Sequence, residues 1–173
     1  MSRRFQYSRF ALSLFTAVLC FVLPGSPVFA GTIFPTSSPT IASLFHFAGS
    51  PPKNLGVNGG KLSPCPSSPN CVSSQGTDPE HYIEPFTSDS DLKETFAKLK
   101  ETIDSLKEAQ IVQADERYIY AEFTSKLMGF VDDVEFYLDE TMGTIEVRSA
   151  SRLGESDLGV NRKRIEAIRE QLK

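Results

Sequence analysis

The order of hydrophobic patterns between residues 91 and 172 constrains the fold more than any other feature of this chain. The first pattern is one face of an α-helix, because its apolar residues recur at spacings of three and four. They are Leu92, Phe96, Leu99, Ile103 and Leu106. Ser90 or Asp91 can cap the start of this helix, and Glu94 stands at the capping-box position after Asp91.

Three stretches with apolar residues at every second position follow. They cover residues 111–123 (with a break near Asp115), 130–138 and 144–151, and the last two predict an antiparallel hairpin. A second helical stripe, starting from Ser156 or Asp157, consists of Leu158, Asn161, Ile165, Ile168 and Leu172. With a short edge strand at residues 81–86, the order is β-α-β-β-β-α. It predicts an α+β fold, an antiparallel sheet of about three to four strands with two helices packed on one face.

Residues 1–30 predict a secretory signal peptide, because arginines precede the apolar run 10–23 and small residues end the segment. That run is shorter than the roughly 20 residues that span a bilayer as a helix, although an uncleaved anchor is the alternative. Cys20 would be lost with the signal peptide. Residues 31–51 predict an irregular arm or linker, and residues 52–173 the domain. We therefore expect export to the periplasm or the thylakoid lumen.

Charge restricts the partners of such a chain. Its net charge is −4, and loss of the arginine-rich signal peptide would leave it more acidic. An acidic domain repels the phosphates of nucleic acid. We therefore expect no nucleic-acid partner and no stable membrane insertion after signal cleavage. A protein partner in the exported compartment is the candidate, and no cofactor is predicted.

The catalytic inventory is poor. The two histidines are His46 and His81, and there is no phosphate-binding glycine loop, GxSxG or HExxH motif. Asp132 and Asp133 cannot share a substrate, because adjacent residues of a strand face opposite sides. We name no catalytic residue and favour a non-catalytic protein. A single carboxylate with an arginine still leaves an enzyme open.

Cys65 and Cys71 lie in the proline-rich stretch LSPCPSSPNCVSSQ. A zinc site would need four ligands, and redox centres usually carry CxxC at a helix start. A nucleophilic thiol would need a base, for which His81 is the nearest residue in sequence. We favour a disulfide, which an exported compartment permits and which would stabilise by roughly 2 kcal/mol, and we predict no metal ligands.

Polar residues interrupt the apolar face of the predicted sheet. Alternation places Asp132, Ser149 and Ser151 on that face, where Asn161 of the second helix can meet them. Arg162 is the nearest candidate partner for the Asp132 carboxylate, which must be paired if buried. The set is either a structural network or the floor of a ligand pocket.

A second polar set occupies the opposite face of the sheet. It consists of Glu122, Asp133, Glu135, Arg148 and Arg152. We expect a solvated face whose cross-strand pairs contribute only tenths of a kcal/mol each. The functional alternative is a docking surface for a partner protein, helped by Tyr118, Tyr120 and Tyr137.

Three segments together resemble the DUF1499 family. They are NLGVNGGKLSPCPSSPNCVSSQ (54–75), YIYAEFTSKLMGFVDDVEFYLD (118–139) and IEVRSASRLGESDLGVNRKRIEAIR (145–169). The resemblance spans roughly residues 52–172, and its members occur in bacteria, especially cyanobacteria, and in plants and algae. The family's function is unknown, so the resemblance implies no catalytic residues.

The matching motif positions include the cysteine loop and both polar sets. They are Cys65, Pro66, Pro69, Asn70, Cys71, Asp132, Asp133, Glu135, Arg148, Ser149, Ser151, Arg152, Asp157, Leu158, Gly159, Asn161 and Arg164. We therefore expect the loop and the polar core to be parts of one feature.

The sequence thus predicts an exported, soluble binding or accessory protein of unknown biochemical activity. Its expected surface combines the cysteine loop with the region of Asp132, Arg148 and Arg152. The alternative is an enzyme or small-ligand protein with a pocket around Asp132, Ser149 and Arg162.

Overall fold

The computed structural model describes residues 47–89 and 91–173. The predicted signal peptide with Cys20 lies outside the described residues. So do His46, Ser90 and most of the predicted arm.

The described part of the chain folds into one five-stranded sheet and two helices. The elements are β1 (Cys71–Ser73), α1 (Leu92–Ser105), β2 (Ala109–Ala114), β3 (Tyr118–Thr124), β4 (Val131–Asp139), β5 (Thr144–Ser151) and α2 (Val160–Leu172). All neighbouring strands are antiparallel, in the order β1-β5-β4-β3-β2. The α+β prediction is confirmed, but the sheet has five strands rather than three to four.

Two predictions about the strands were wrong, and the second of them accounts for the extra strand. Residues 81–86 are not a strand, and their backbone pairs with the sheet only at single bridges, from Tyr82 to Ser73 and from Phe86 to Ile145. The edge strand is β1, directly after the cysteine loop. The stretch 111–123 is two strands, because the Asp115 carboxylate accepts hydrogen bonds from the amides of Arg117 and Tyr118, at 2.9 Å each, and closes a turn.

The start of α1 follows the prediction. The Asp91 carboxylate accepts hydrogen bonds from the backbone amides of Lys93 (2.7 Å) and Glu94 (3.3 Å). These bonds satisfy amides that have no partner inside the helix.

The start of α2 differs from the prediction. The helix begins at Val160 rather than at Ser156 or Asp157. Leu158 and Gly159 have φ angles of 55° and 77°, in the left-handed region that a right-handed helix excludes. Asp157 still serves the helix start, since its carboxylate accepts a hydrogen bond from the Asn161 amide at 2.8 Å.

The apolar core lies between the two helices and one face of the sheet, which we call the helix face. The helices contribute Phe96, Leu99, Ile103, Ile165 and Ile168, and the three central strands contribute Ile119, Ala121, Phe123, Val134, Phe136, Leu138, Ile145 and Val147. Strand alternation puts these strand residues on one side. Both helices therefore cover that side.

A segment without regular structure covers part of the other face of the sheet. We call residues 47–62 the strap and the face beneath it the strap face. Leu62 and Leu55 pack against Tyr118 and Tyr120 of β3. The Leu62 amide donates a hydrogen bond to the Gln75 side chain at 2.8 Å. Both faces of the sheet therefore have a covering layer.

Candidate functional site

One polar cluster joins α2 to the helix face, as the sequence predicts for Asp132, Ser149, Ser151 and Asn161. We call these residues, with Arg164, the helix cluster. Arg164 forms an ion pair with Asp132 and donates to the Asn161 side-chain oxygen at 2.7 Å and to the Ser149 hydroxyl at 3.1 Å. The Asn161 side-chain nitrogen donates to the Ser151 hydroxyl at 3.0 Å.

The predicted partner of Asp132 is wrong. Arg162 lies on another side of α2, where its guanidinium donates to the backbone carbonyls of Tyr82 (2.7 Å) and Glu80 (2.8 Å). Arg164 pairs with Asp132 instead, because it lies on the sheet-facing side of the helix together with Asn161, three residues earlier. That three-residue spacing was the signal in the sequence that could have identified it.

The cysteine loop is attached to the helix cluster through Asn70. Cys65 and Cys71 form a disulfide with their Cα atoms 5.7 Å apart. The Asn70 carbonyl accepts hydrogen bonds from the Asn161 side chain and from the Ser151 amide, both at 3.0 Å. The expectation that the loop and the polar core form one feature is confirmed.

His81 holds the other side of the cysteine loop. One ring nitrogen lies 3.0 Å from the Ser68 carbonyl and the other 2.9 Å from the Asp78 carboxylate. The Ser68 carbonyl outweighs the effect of burial and, with Asp78, raises the pKa of His81 above its ordinary value of 6.5. His81 bonds the loop backbone, and its partners give it a structural role.

Arg152 and the two acids beside it form the first half of a network on the strap face. Arg152 donates two hydrogen bonds to Asp133, at 3.0 Å from Nε and 2.8 Å from a terminal nitrogen, and also pairs with Glu122. The Tyr120 hydroxyl donates to Asp133 at 2.7 Å and accepts from Arg152 at 2.9 Å. Hydrogen bonding to Asp133 raises the pKa of Arg152.

Glu135 is the centre of the second half. Its carboxylate is 0% exposed and accepts hydrogen bonds from the Tyr118 hydroxyl at 2.8 Å and from the Gly56 amide of the strap at 2.7 Å. Arg148 approaches it at 3.4 Å, and the Arg148 Nε has no partner among the described residues. We call both halves together the strap network.

The prediction of a solvated strap face is therefore wrong. Asp133 is 1% exposed and Arg148 5%, and the strap bonds to their partners Arg152 and Glu135 through Ala48 and Gly56. Neither Arg148 nor Arg152 is available to a docking partner in this conformation.

The strap network is built to hold charge rather than to move protons. Burial, then the neighbouring carboxylates, raise the pKa of the Tyr118 and Tyr120 phenols far above neutral pH. Neither phenol is therefore a poised acid or base at neutral pH. Arg152 neutralises Asp133, and Arg148 lies against Glu135.

The turn between β3 and β4 and the loop between β5 and α2 meet at one end of the domain, where large apolar side chains are exposed. We call them the hairpin end: Leu127, Met128, Phe130, Leu153, Leu158 and Val160. Leu158 is 86% exposed and Leu127 80%. The prediction that Leu158 belongs to the apolar stripe of the last helix is therefore wrong.

Two depressions run into the hairpin end. The larger is a groove of about 590 Å³ between α2 and the end of β3, with Leu127 and Val160 among its walls. The smaller, about 170 Å³, is lined by Phe130, Asp132 and Val160. The Arg164–Asp132 pair thus stands between them, with Arg164 in the groove and Asp132 in the small pocket.

Residues 47–89 and 91–173 contain neither a metal-binding cluster nor a membrane-spanning helix. No three histidine, cysteine, aspartate or glutamate side chains converge there to hold a metal ion. No helix in those ranges has the length and apolar character that crossing a membrane requires.

The family model described as "Protein of unknown function (DUF1499)" matches residues 61–172. The chain belongs to the DUF1499 family. This match contains the cysteine loop, the helix cluster and most of the strap network, and it omits all but the end of the strap. No curated protein matches this DUF1499 chain.

Proposed function

We propose that this DUF1499 protein is a non-catalytic binding or accessory protein of the periplasm or the thylakoid lumen, and that it binds its partner at the hairpin end. The observation that carries the proposal is the crowding of exposed leucine, methionine, phenylalanine and valine side chains there. Surface clusters of this kind mark interaction sites. Export is supported by the N-terminal sequence and agrees with a disulfide in the domain.

Leu158 supports the assignment most strongly. Its φ of 55° is a conformation that costs a non-glycine residue roughly 1–2 kcal/mol, and its side chain is 86% exposed. The conformation is held by Asp157, whose carboxylate accepts a hydrogen bond from the Gly159 amide at 2.9 Å. The strained backbone at Leu158 directs the leucine side chain into water, where it adds little packing within this domain. Such a side chain is suited to contact with a binding partner.

The absence of a poised acid or base supports a non-catalytic role. In the described residues, the buried carboxylates of Asp132, Asp133 and Glu135 each lie beside an arginine. Each pair serves the attachment of α2 or of the strap.

The test is purification from the native compartment after mild cross-linking, with mass spectrometry of co-purifying proteins and small molecules. The variant Leu127→Ser/Leu158→Asn removes the two most exposed leucines. Its matched control is Val112→Ser/Met142→Ser, since those side chains are 51% and 71% exposed outside the hairpin end. We expect the partner to be lost from the first variant and kept by the second. Equal recovery from both, or no enriched partner, would overturn the proposal.

A second candidate is a small-ligand protein or enzyme, with a site beside Asp132 and Ser149. The 170 Å³ pocket against Asp132 and Ser151 supports it, although Arg162, which the sequence analysis placed there, lies elsewhere. A thermal-shift screen against metabolites and metal ions tests this candidate. A ligand that raises the melting temperature of the wild type but not of Asp132→Asn would favour it over the first proposal.

A further inference from the structure

We propose that the groove at the hairpin end binds a single-chain amphiphile with an anionic head group, such as a free fatty acid. The inference rests on the proposed function, because it names the chemical class of a partner at the same surface. The apolar chain lies along the floor of the groove, and the head group lies at its lysine-bearing rim.

The floor of the groove is apolar and belongs to the core of the domain. Phe123 and Ile168 are 2% and 1% exposed, and partly buried Leu106 adds to the floor. Leu127 and Val160 continue the apolar surface outward. A chain laid here covers the side chains of Leu127 and Val160, which are 80% and 45% exposed, and the gain is proportional to the apolar area removed from water.

The volume of the groove suits a small molecule. Its volume of about 590 Å³ lies within the range of small-molecule sites, roughly 300–1,000 Å³. Such sites combine an apolar lining with a few polar groups that orient the ligand. Here the charged groups among them are mainly cations.

The charge of the groove is opposite to that of the chain. Lys126, Lys163 and Arg164 line it against a single acid, Glu108, whereas the chain carries a net charge of −4. Arg164 is held by Asp132 and lies over the Phe123 ring at 4.9 Å.

The two lysines are the groups available to a head group. Across residues 47–89 and 91–173, neither ammonium takes part in an ion pair. Lys126 belongs to the β3–β4 turn and Lys163 to α2, so cationic groups come from both sides of the groove. A carboxylate between them gains two opposite charges, and a cationic head group would be repelled.

The turn that forms one wall is fixed in place. The Ser125 amide donates to the Phe130 carbonyl at 2.8 Å, and the Phe130 amide donates to the Ser125 hydroxyl at 3.0 Å. The Gly129 amide donates to the Ser125 carbonyl at 3.0 Å. A wall held by three hydrogen bonds is preorganised, which lowers the entropic cost of binding.

The experiment is calorimetric titration of the full chain, as its own cell processes it, with oleate below its micelle-forming concentration. Trimethylammonium and alcohol analogues with the same oleyl chain test the head group. We expect one oleate per chain, with the cationic analogue binding at least about tenfold more weakly. No oleate binding, or equal binding of the cationic analogue, would overturn the inference.

Substitutions locate the site. Ala167→Glu places a carboxylate in the groove from the exposed side of α2, and Ala97→Glu is the matched control on α1. We expect Ala167→Glu to weaken oleate binding by at least about tenfold and Ala97→Glu to leave it unchanged. Lys126→Gln/Lys163→Gln should weaken it by about two- to fivefold, against no change in Lys100→Gln/Lys107→Gln. Oleate affinity unaffected by Ala167→Glu would contradict the site.

Vesicles distinguish a free amphiphile from a lipid surface. We expect no sedimentation of the chain with phosphatidylcholine vesicles or with vesicles containing phosphatidylglycerol. Sedimentation without binding of monomeric oleate would replace the inference with membrane docking. If oleate fails but co-purification still depends on Leu127 and Leu158, the inference is lost and the proposed function stands.

Discussion

The two faces of the sheet are both covered, but by different means. The helix face is covered by two amphipathic helices over an apolar core. The strap face is covered by an irregular segment over a charged network in which Glu135 is 0% exposed. Helix packing is driven by apolar area, whereas the strap is held partly by directional bonds such as that from Gly56 to Glu135. Burial of the strap face therefore depends on the pairing of opposite charges.

Removal of one arginine from the strap network is the most direct test of this dependence. Arg152→Ala leaves Asp133 buried without its ion-pair partner, and we expect a loss of about 3–5 kcal/mol in the free energy of unfolding. Phe136→Ala in the helix-face core should cost a similar amount, about 3–5 kcal/mol. Urea unfolding measures both.

Lys100→Ala, on the exposed side of α1, is the control and should change the unfolding free energy by less than about 0.5 kcal/mol. If Arg152→Ala proves as mild as that control, the strap network does not contribute to stability and the two faces are not comparable.

Removal of the disulfide tests how much the cysteine loop, which is bonded to the helix cluster through Asn70, contributes to stability. Cys65→Ser/Cys71→Ser should lower the free energy of unfolding by about 2 kcal/mol, because the closed loop is short. The wild type in reductant is the matched measurement and should show the same loss. Intact mass with and without reduction before alkylation should differ by two capped thiols. Equal labelling would show that the bond is absent.

Relieving the strain at Leu158 separates stability from binding. Leu158→Gly suits a φ of 55° and should stabilise the domain by about 1 kcal/mol, while partner recovery falls because the exposed leucine is gone. Thermal unfolding and co-purification are read on the same variant. A stabilised variant that keeps its partner would remove Leu158 from the binding surface.

The smallest expected effect is the pH dependence of stability that arises from His81. Its pKa is raised in the folded state, so its contribution to stability is full below the ordinary value of 6.5 and is lost as the pH rises through the folded-state pKa. Urea midpoints between about pH 6 and pH 9 should fall more in the wild type than in His81→Gln. The variant keeps His46, so parallel curves would assign the dependence to another group.

Local patterns were enough to predict the elements of the helix face. Spacing of apolar residues predicted α1, with its Asp91 cap, and the β4–β5 hairpin. Alternation also placed Asp132 and Ser149 on the side of Asn161. These predictions succeed because each depends on neighbours along one strand or helix.

The strap face could not be predicted in the same way. Alternation states which side Glu135 and Arg148 occupy, but not whether another segment covers that side. The strap has no hydrophobic period, and its bond from Gly56 to Glu135 joins residues 79 positions apart. Leu158 was misplaced because two left-handed residues before α2 delay its start, and the sequence pattern did not reveal them. Arg162 was misplaced for a different reason: it follows Asn161 directly and so lies on another side of the helix, whereas Arg164 shares the side of Asn161.

The position of β1 sets the order in which the chain can complete its fold. Cys71 of β1 pairs with Ala150 of β5, and the Asn70 carbonyl accepts a hydrogen bond from the Asn161 side chain. The first strand of the chain therefore pairs with residues from the last quarter of the chain. A nascent chain that ends before β5 has no strand on which β1 can dock. Such non-local pairings form slowly, so β1 joins the sheet only after β5 has been synthesised.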